Sequence, residues 1–131
     1  MPVELKILAL STIVLLFTII AATRSKTAQY GTKWNMGARD GAVPEPSPVT
    51  GRLMRAQANF FETFPIVIAL IAILAISGRG NAHTALGACL WLGARVVYLP
   101  LYALGIPVVR SLAFLVSMAG IIMMLWPILF G

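Results

Sequence analysis

A chain of 131 residues that is 60% hydrophobic and only 11% charged is too apolar for a water-soluble domain of its size. Its net charge of +6 does not point to nucleic acid, because the basic residues form no solvated run and have no soluble domain to carry them. What remains is one all-α integral membrane domain over residues 1–131. Apolar stretches near the ~20 residues needed to cross hydrocarbon predict four spanning helices, at about 3–23, 51–77, 83–104 and 108–130.

The first apolar stretch carries Glu4 beside Lys6 and is followed by Thr23-Arg24-Ser25-Lys26. That flank is not a small-residue cleavage site, so the segment reads as a retained helix rather than a signal peptide. The polar connection over about 24–50 divides in two. Its first half mixes charge with Tyr30, Trp34 and Met36, which suits a segment at the headgroup interface. Its second half contains Pro44, Pro46 and Pro48 and reads as an extended link, with Thr50 or Gly51 expected as the N-cap of the next helix.

The second helix holds the most informative feature of the chain. Arg52, Arg55, Asn59 and Glu62 recur at steps of three, four and three, which places them on one helix face inside an otherwise apolar span. Ionisable groups at such depth cost about 2.5 to 3.5 kcal/mol each, so they face a partner helix, a water-filled cavity or a ligand. Asn59 needs partners for its amide that lipid does not supply. Pro65 removes one backbone hydrogen bond and predicts a kink just beyond Glu62.

After the turn Ser77-Gly78-Arg79-Gly80-Asn81, the third helix carries a second stripe, Arg95, Tyr98 and Tyr102, with Pro100 among them. Measured from their shared end of the bundle, Glu62 and Arg95 each lie about 15 Å deep, which predicts an interhelical ion pair of structural character. The tyrosines suit either an interfacial belt or, by their shared face with Arg95, the interior. Cys89 is the sole cysteine, excluding an intrachain disulfide, and its apolar setting predicts a buried, inert thiol. His83 has no ligand at metal-binding spacing, so no metal site is expected. Trp91 and Trp126 read as packing residues, and Met118, Met123 and Met124 as lipid-facing or core filler.

Gly105-Ile106-Pro107 is a second short turn, and Arg110-Ser111 opens the fourth helix. Short turns impose antiparallel neighbours, hence an up-down four-helix bundle. Arg24, Lys26, Lys33, Arg39, Arg52, Arg55 and Arg110 fall at one end, against Lys6 and Arg79 at the other. The excess of basic residues predicts that the first end is cytoplasmic and that both termini face outward. Taken singly, the arginines at this end could be snorkelling toward lipid phosphates. Taken together with the tyrosines and Asn59, they suit a small anionic, peptide-like ligand, because guanidiniums bind carboxylates in bidentate fashion.

The run Arg55-Ala56-Gln57-Ala58-Asn59-Phe60-Phe61-Glu62-Thr63-Phe64-Pro65 resembles the RAxxNxxExxP signature of the MAPEG family, the membrane-associated proteins in eicosanoid and glutathione metabolism. Arg95, Tyr98, Tyr102 and Arg110-Ser111 fall where that family has its later polar residues, and the likeness to a bacterial-type member covers nearly the whole chain. The resemblance implies a MAPEG-like four-helix subunit that assembles as a homotrimer and takes glutathione as co-substrate between subunits. It implies glutathione-pocket or supporting roles for Arg55, Asn59, Glu62, Tyr98 and Tyr102, with Arg52, Arg95 and Ser111 beside them, and a thiol-activating role for Arg110.

The expected function is that of a glutathione-dependent transferase or peroxidase, acting on hydrophobic electrophiles or lipid hydroperoxides that arrive from the bilayer. The expected location is a bacterial inner membrane, and the expected partners are the chain itself, membrane lipids and a hydrophobic small molecule. The alternative is a non-enzymatic module of the same fold whose arginines hold lipid headgroups. A transporter is disfavoured by the lack of an inverted repeat.

Overall fold

The structure, a computed structural model, describes residues 1–131 apart from the side chain of Val109. Five helices follow in order: α1 (Val3–Tyr30), α2 (Thr32–Met36), α3 (Pro48–Ser77), α4 (Ala82–Ala103) and α5 (Pro107–Phe130). All but the short α2 are long and apolar enough to cross a membrane.

Two helices begin or end away from where polarity alone puts them. α1 continues beyond residue 23 to Tyr30, because leaving the apolar stretch removes hydrophobicity but not helix propensity. It stops only at Gly31, whose φ of 95° is a glycine conformation and whose N–H returns to the Thr27 carbonyl at 2.8 Å. α3 starts at Pro48 rather than near residue 51. Ser47 is the N-cap, its Oγ accepting from the Thr50 N–H at 3.3 Å, and Pro48 occupies the first turn, where a missing N–H is harmless. Pro65 and Pro100 both lie inside continuous helices.

Residues 37–47 form a non-helical strap between α2 and α3. The Gln29 amide clasps it, donating to the Glu45 carbonyl at 2.9 Å and accepting from the Ser47 N–H at 2.8 Å, while the Tyr30 hydroxyl donates to the Pro44 carbonyl at 2.8 Å. Tyr30 and Trp34 pack with ring centroids 4.7 Å apart.

Named contacts fix the up-down order. At one end Ser25 Oγ meets Thr50 Oγ1 at 2.5 Å, and Arg52 Nε donates to the Ala103 carbonyl at 3.0 Å. This Arg-rich end also holds the start of α5. At the other end Thr84 Oγ1 donates to Glu4 Oε1 at 2.9 Å, and Arg79 reaches the Ile128 carbonyl at 3.2 Å. Glu4 is buried there, at the first turn of α4, where a carboxylate is favoured by the helix dipole. Asn81 and Thr84 close that turn with a reciprocal capping box.

The core lies between α3, α4 and α5. Phe60 and Phe64 flank the fully buried Trp91, edge-on at 5.7 Å and stacked at 5.9 Å. Met124 is also fully buried, whereas Trp126 is exposed and has its ring against Phe130. α4 and α5 touch backbone to backbone, since a Cβ added to Gly87 would stand 2.7 Å from the Gly120 carbonyl oxygen. Cys89 is exposed on the outer face of α4, not buried as its apolar neighbours suggested. An all-apolar environment in sequence does not distinguish a helix's core face from its lipid face.

Candidate functional site

The polar stripe of α3 runs along one edge of its buried face. Leu53, Ala56, Phe60 and Thr63 are buried, while Arg52 and Asn59 beside them are half-buried and Arg55 and Glu62 exposed. The steps of three and four therefore hold the four polar residues on a shared seam, and neighbouring helices decide what each one meets.

The deepest layer is built around Arg95, which is 2% exposed. Its Nη1 donates to Asn59 Oδ1 at 2.5 Å and its Nε to Ser117 Oγ at 3.3 Å. Its guanidinium carbon lies 5.0 Å from the Tyr98 ring, 5.8 Å from Phe114 and 5.9 Å from Phe60, an aromatic surround that stabilises a desolvated cation. Nη2 has no hydrogen-bond partner among the described residues. The expected Glu62 to Arg95 ion pair does not form within the chain. At about 100° per residue, Glu62 is turned some 60° from Asn59, away from α4, whereas Thr63 is turned about 40° the other way and is the residue buried. Asn59, one turn nearer the Arg-rich end, takes Arg95 instead.

A second layer lies nearer the Arg-rich end. Arg55 Nε donates to the Tyr102 hydroxyl at 3.0 Å, and Arg110 places its guanidinium carbon 4.9 Å over the same ring. Tyr102 meets Tyr98 edge-on at 5.2 Å, and Tyr98 is buried, which favours the interior over a lipid belt for that residue. One phenol thus joins arginines from α3 and α5 and couples them, through Tyr98, to the Arg95 layer.

The remaining candidates are not drawn in. Arg52 is engaged with the last turn of α4, Ser111 Oγ donates to its own helix at the Pro107 carbonyl, and Glu62 is exposed without a hydrogen bond among the described residues. Ser117, absent from the expected set, completes the deep layer, and its position one apolar turn after Phe114 carries no signal until Arg95 is seen beside it. Among the described residues no cluster of His, Cys, Asp and Glu could hold a metal ion.

Two guanidiniums on one phenol, with no carboxylate bonded to either among the described residues, make an anion-attracting surface bordered by apolar helix. No curated protein and no solved structure matches the chain. The family model described as MAPEG family matches residues 6–130, the stretch that carries both polar layers and all four spanning helices. By that match over nearly its whole length, the chain belongs to the MAPEG family.

Proposed function

We propose that this protein is a glutathione-dependent transferase or peroxidase acting on hydrophobic electrophiles or lipid hydroperoxides within the membrane. The observation that carries the proposal is the convergence of Arg55 and Arg110 on Tyr102, two uncompensated cations at one end of a membrane bundle. Glutathione offers carboxylates to such arginines and a thiol whose ordinary pKa is about 8.5. Arg110 is the guanidinium assigned to the thiol, since a fixed cation beside sulfur favours the thiolate, the reactive form. Arg55 is assigned to a glutathione carboxylate, and the exposed Glu62 to its amino group, with Asn59, Tyr98 and Arg95 supporting from behind.

In the transferase reaction the thiolate sulfur forms a bond to the electrophilic carbon, and the displaced electron pair leaves with the leaving group or is protonated by water. In the peroxidase reaction the thiolate sulfur bonds to the terminal hydroperoxide oxygen, the O–O bond breaks, and the lipid alkoxide leaves and takes a proton from water to become the alcohol, with the sulfur now a sulfenic acid. A second glutathione thiol then bonds to the sulfenic sulfur, whose hydroxyl leaves as water, to give the disulfide. The proposal includes a homotrimer with glutathione between subunits, in a bacterial inner membrane, the Arg-rich end facing the cytoplasm. The exposure of Glu62, a carboxylate at membrane depth, supports a neighbouring subunit or ligand over that face. Calorimetry of the detergent-purified protein with glutathione, followed by a conjugation assay with a generic electrophile, tests it. Absence of a binding heat would favour a non-enzymatic module of the same fold.

A further inference from the structure

Between α1, α3 and α4 runs an apolar groove of about 550 Å³, walled by Ile13, Phe17 and Ala21 on α1, Leu53 on α3, and Leu99 and Ala103 on α4. Leu99 and Ala103 each follow a site tyrosine by one residue, so the groove lies about 100° around α4 from Tyr98 and Tyr102. It is a separate surface from the arginine and tyrosine site. From Ile13 to Ala21 the helix rises about 12 Å, close to the ~15 Å of hydrocarbon in one leaflet.

The groove ends in positive charge. Ile13, Phe17 and Ala21 recur at steps of four, and three residues further along that stripe stands the exposed Arg24. Across from it, Arg52 adjoins Leu53, packs its guanidinium against Gly105 and spends its Nε on the Ala103 carbonyl. Among the described residues its Nη1 and Nη2 donate to no protein acceptor. Close by, α1 and α3 are in hydrogen-bonded contact through Ser25 and Thr50. An apolar slot one leaflet deep, with an arginine on each of two touching helices at its headgroup end, matches the charge and the shape of one kind of molecule.

We propose that the groove holds an acyl chain of an anionic phospholipid from that leaflet, with its phosphate taken by Arg24 and Arg52. This does not rest on the glutathione reading, which uses the other flank of α4. The chain fills apolar surface that the single subunit leaves uncovered, and the headgroup answers two cations at the same end of the bundle that pair with no carboxylate among the described residues.

Native mass spectrometry of the detergent-purified full chain tests this, with palmitoyl-oleoyl phosphatidylglycerol and the phosphatidylcholine of the same chains titrated in parallel. Identical tails make the affinity ratio a readout of the headgroup alone. Two basic groups at an anionic surface predict a preference for phosphatidylglycerol of about thirty-fold. The double variant Arg24→Gln with Arg52→Gln should bring the two lipids to near-equal affinity. Ala21→Trp, which fills the slot, should weaken both. Equal binding by the wild type, a preference that survives the double variant, or displacement of phosphatidylglycerol by glycerol 1-phosphate alone would each overturn the proposal. So would unchanged binding of both lipids by Ala21→Trp, the result expected if a second copy of the chain closes the slot. Should Ala21→Trp fail to fold, the double variant decides, since it leaves the groove walls intact.

Discussion

Arg110, with its guanidinium carbon 4.9 Å over the Tyr102 ring, and Arg95, enclosed by three aromatic rings, answer to different tests although both are arginines facing tyrosines. Arg110 is half-buried near a helix start and also lies within reach of the buried Tyr98, which keeps its edge-on contact with Tyr102 when Arg110 is lost. On the glutathione proposal, Arg110→Ala should keep the thermal stability within about 0.5 kcal/mol of wild type. It should also raise the pKa of the bound thiol and slow conjugation by about tenfold or more, read from thiolate absorbance against pH and from initial rates. Asn59 belongs to the other class. Asn59→Leu removes the acceptor of a charge-assisted hydrogen bond inside the bundle and should destabilise by about 1 to 2 kcal/mol in a detergent melt. Glu62→Gln, which touches no buried group, should leave the melt unchanged and weaken glutathione binding instead. A large loss of stability in Glu62→Gln would mean that Arg95 pairs with it after all.

At the scale of elements, α4 and α5 are set by the mutual approach of Gly87 and Gly120. A side chain at Gly120 would meet backbone rather than a movable side chain, so Gly120→Leu should force the helices apart. The expected loss is about 1 to 3 kcal/mol or a misassembled bundle, seen as a lower melting point and faster proteolysis. Nothing in the sequence singles out these glycines, because a glycine within an apolar span declares its purpose only when the partner helix is known. The spans themselves were legible, since hydropathy over membrane length is a strong signal. Their polar stripes were legible from spacing. The partner of Arg95 was not, since a step of three or four fixes a seam only to within about 60°, and that angle separates Asn59 from Glu62. The end of α1 was misplaced for a related reason: polarity marks where lipid stops, and Gly31 marks where the helix stops. The burial of Glu4 against Thr84 lay beyond local pattern altogether, resting on residues far apart in the chain.

For the whole molecule, the contacts at each end assign the basic residues to one side. Arg24, Lys26, Arg52, Arg55 and Arg110 all lie at the end where α1 meets α3, and the opposite end offers Lys6 and Arg79. The positive-inside rule then predicts that a cysteine at Thr32 labels only from the cytoplasmic side and one at Asn81 only from outside. Both variants should be built with Cys89→Ala, because the native thiol is itself exposed on the chain. The reverse pattern would move the arginine and tyrosine layer to the other compartment and remove cytosolic glutathione as its ligand.

The aromatic cage around Arg95 also bears on how the protein is made. α4 is the least apolar of the four spans, and it carries a cation that costs about 2.5 to 3.5 kcal/mol at the centre of a helix inserted alone. The acceptor that relieves this cost, Asn59, is on α3, which the ribosome delivers first, whereas Ser117 and Phe114 arrive only afterwards. Biosynthesis therefore has a preferred order of partnering, in which α4 leaves the translocation machinery by docking on a waiting α3. An insertion assay should find α4 by itself inserting poorly, recovering when α3 precedes it, and losing that recovery when Asn59→Leu is introduced in α3.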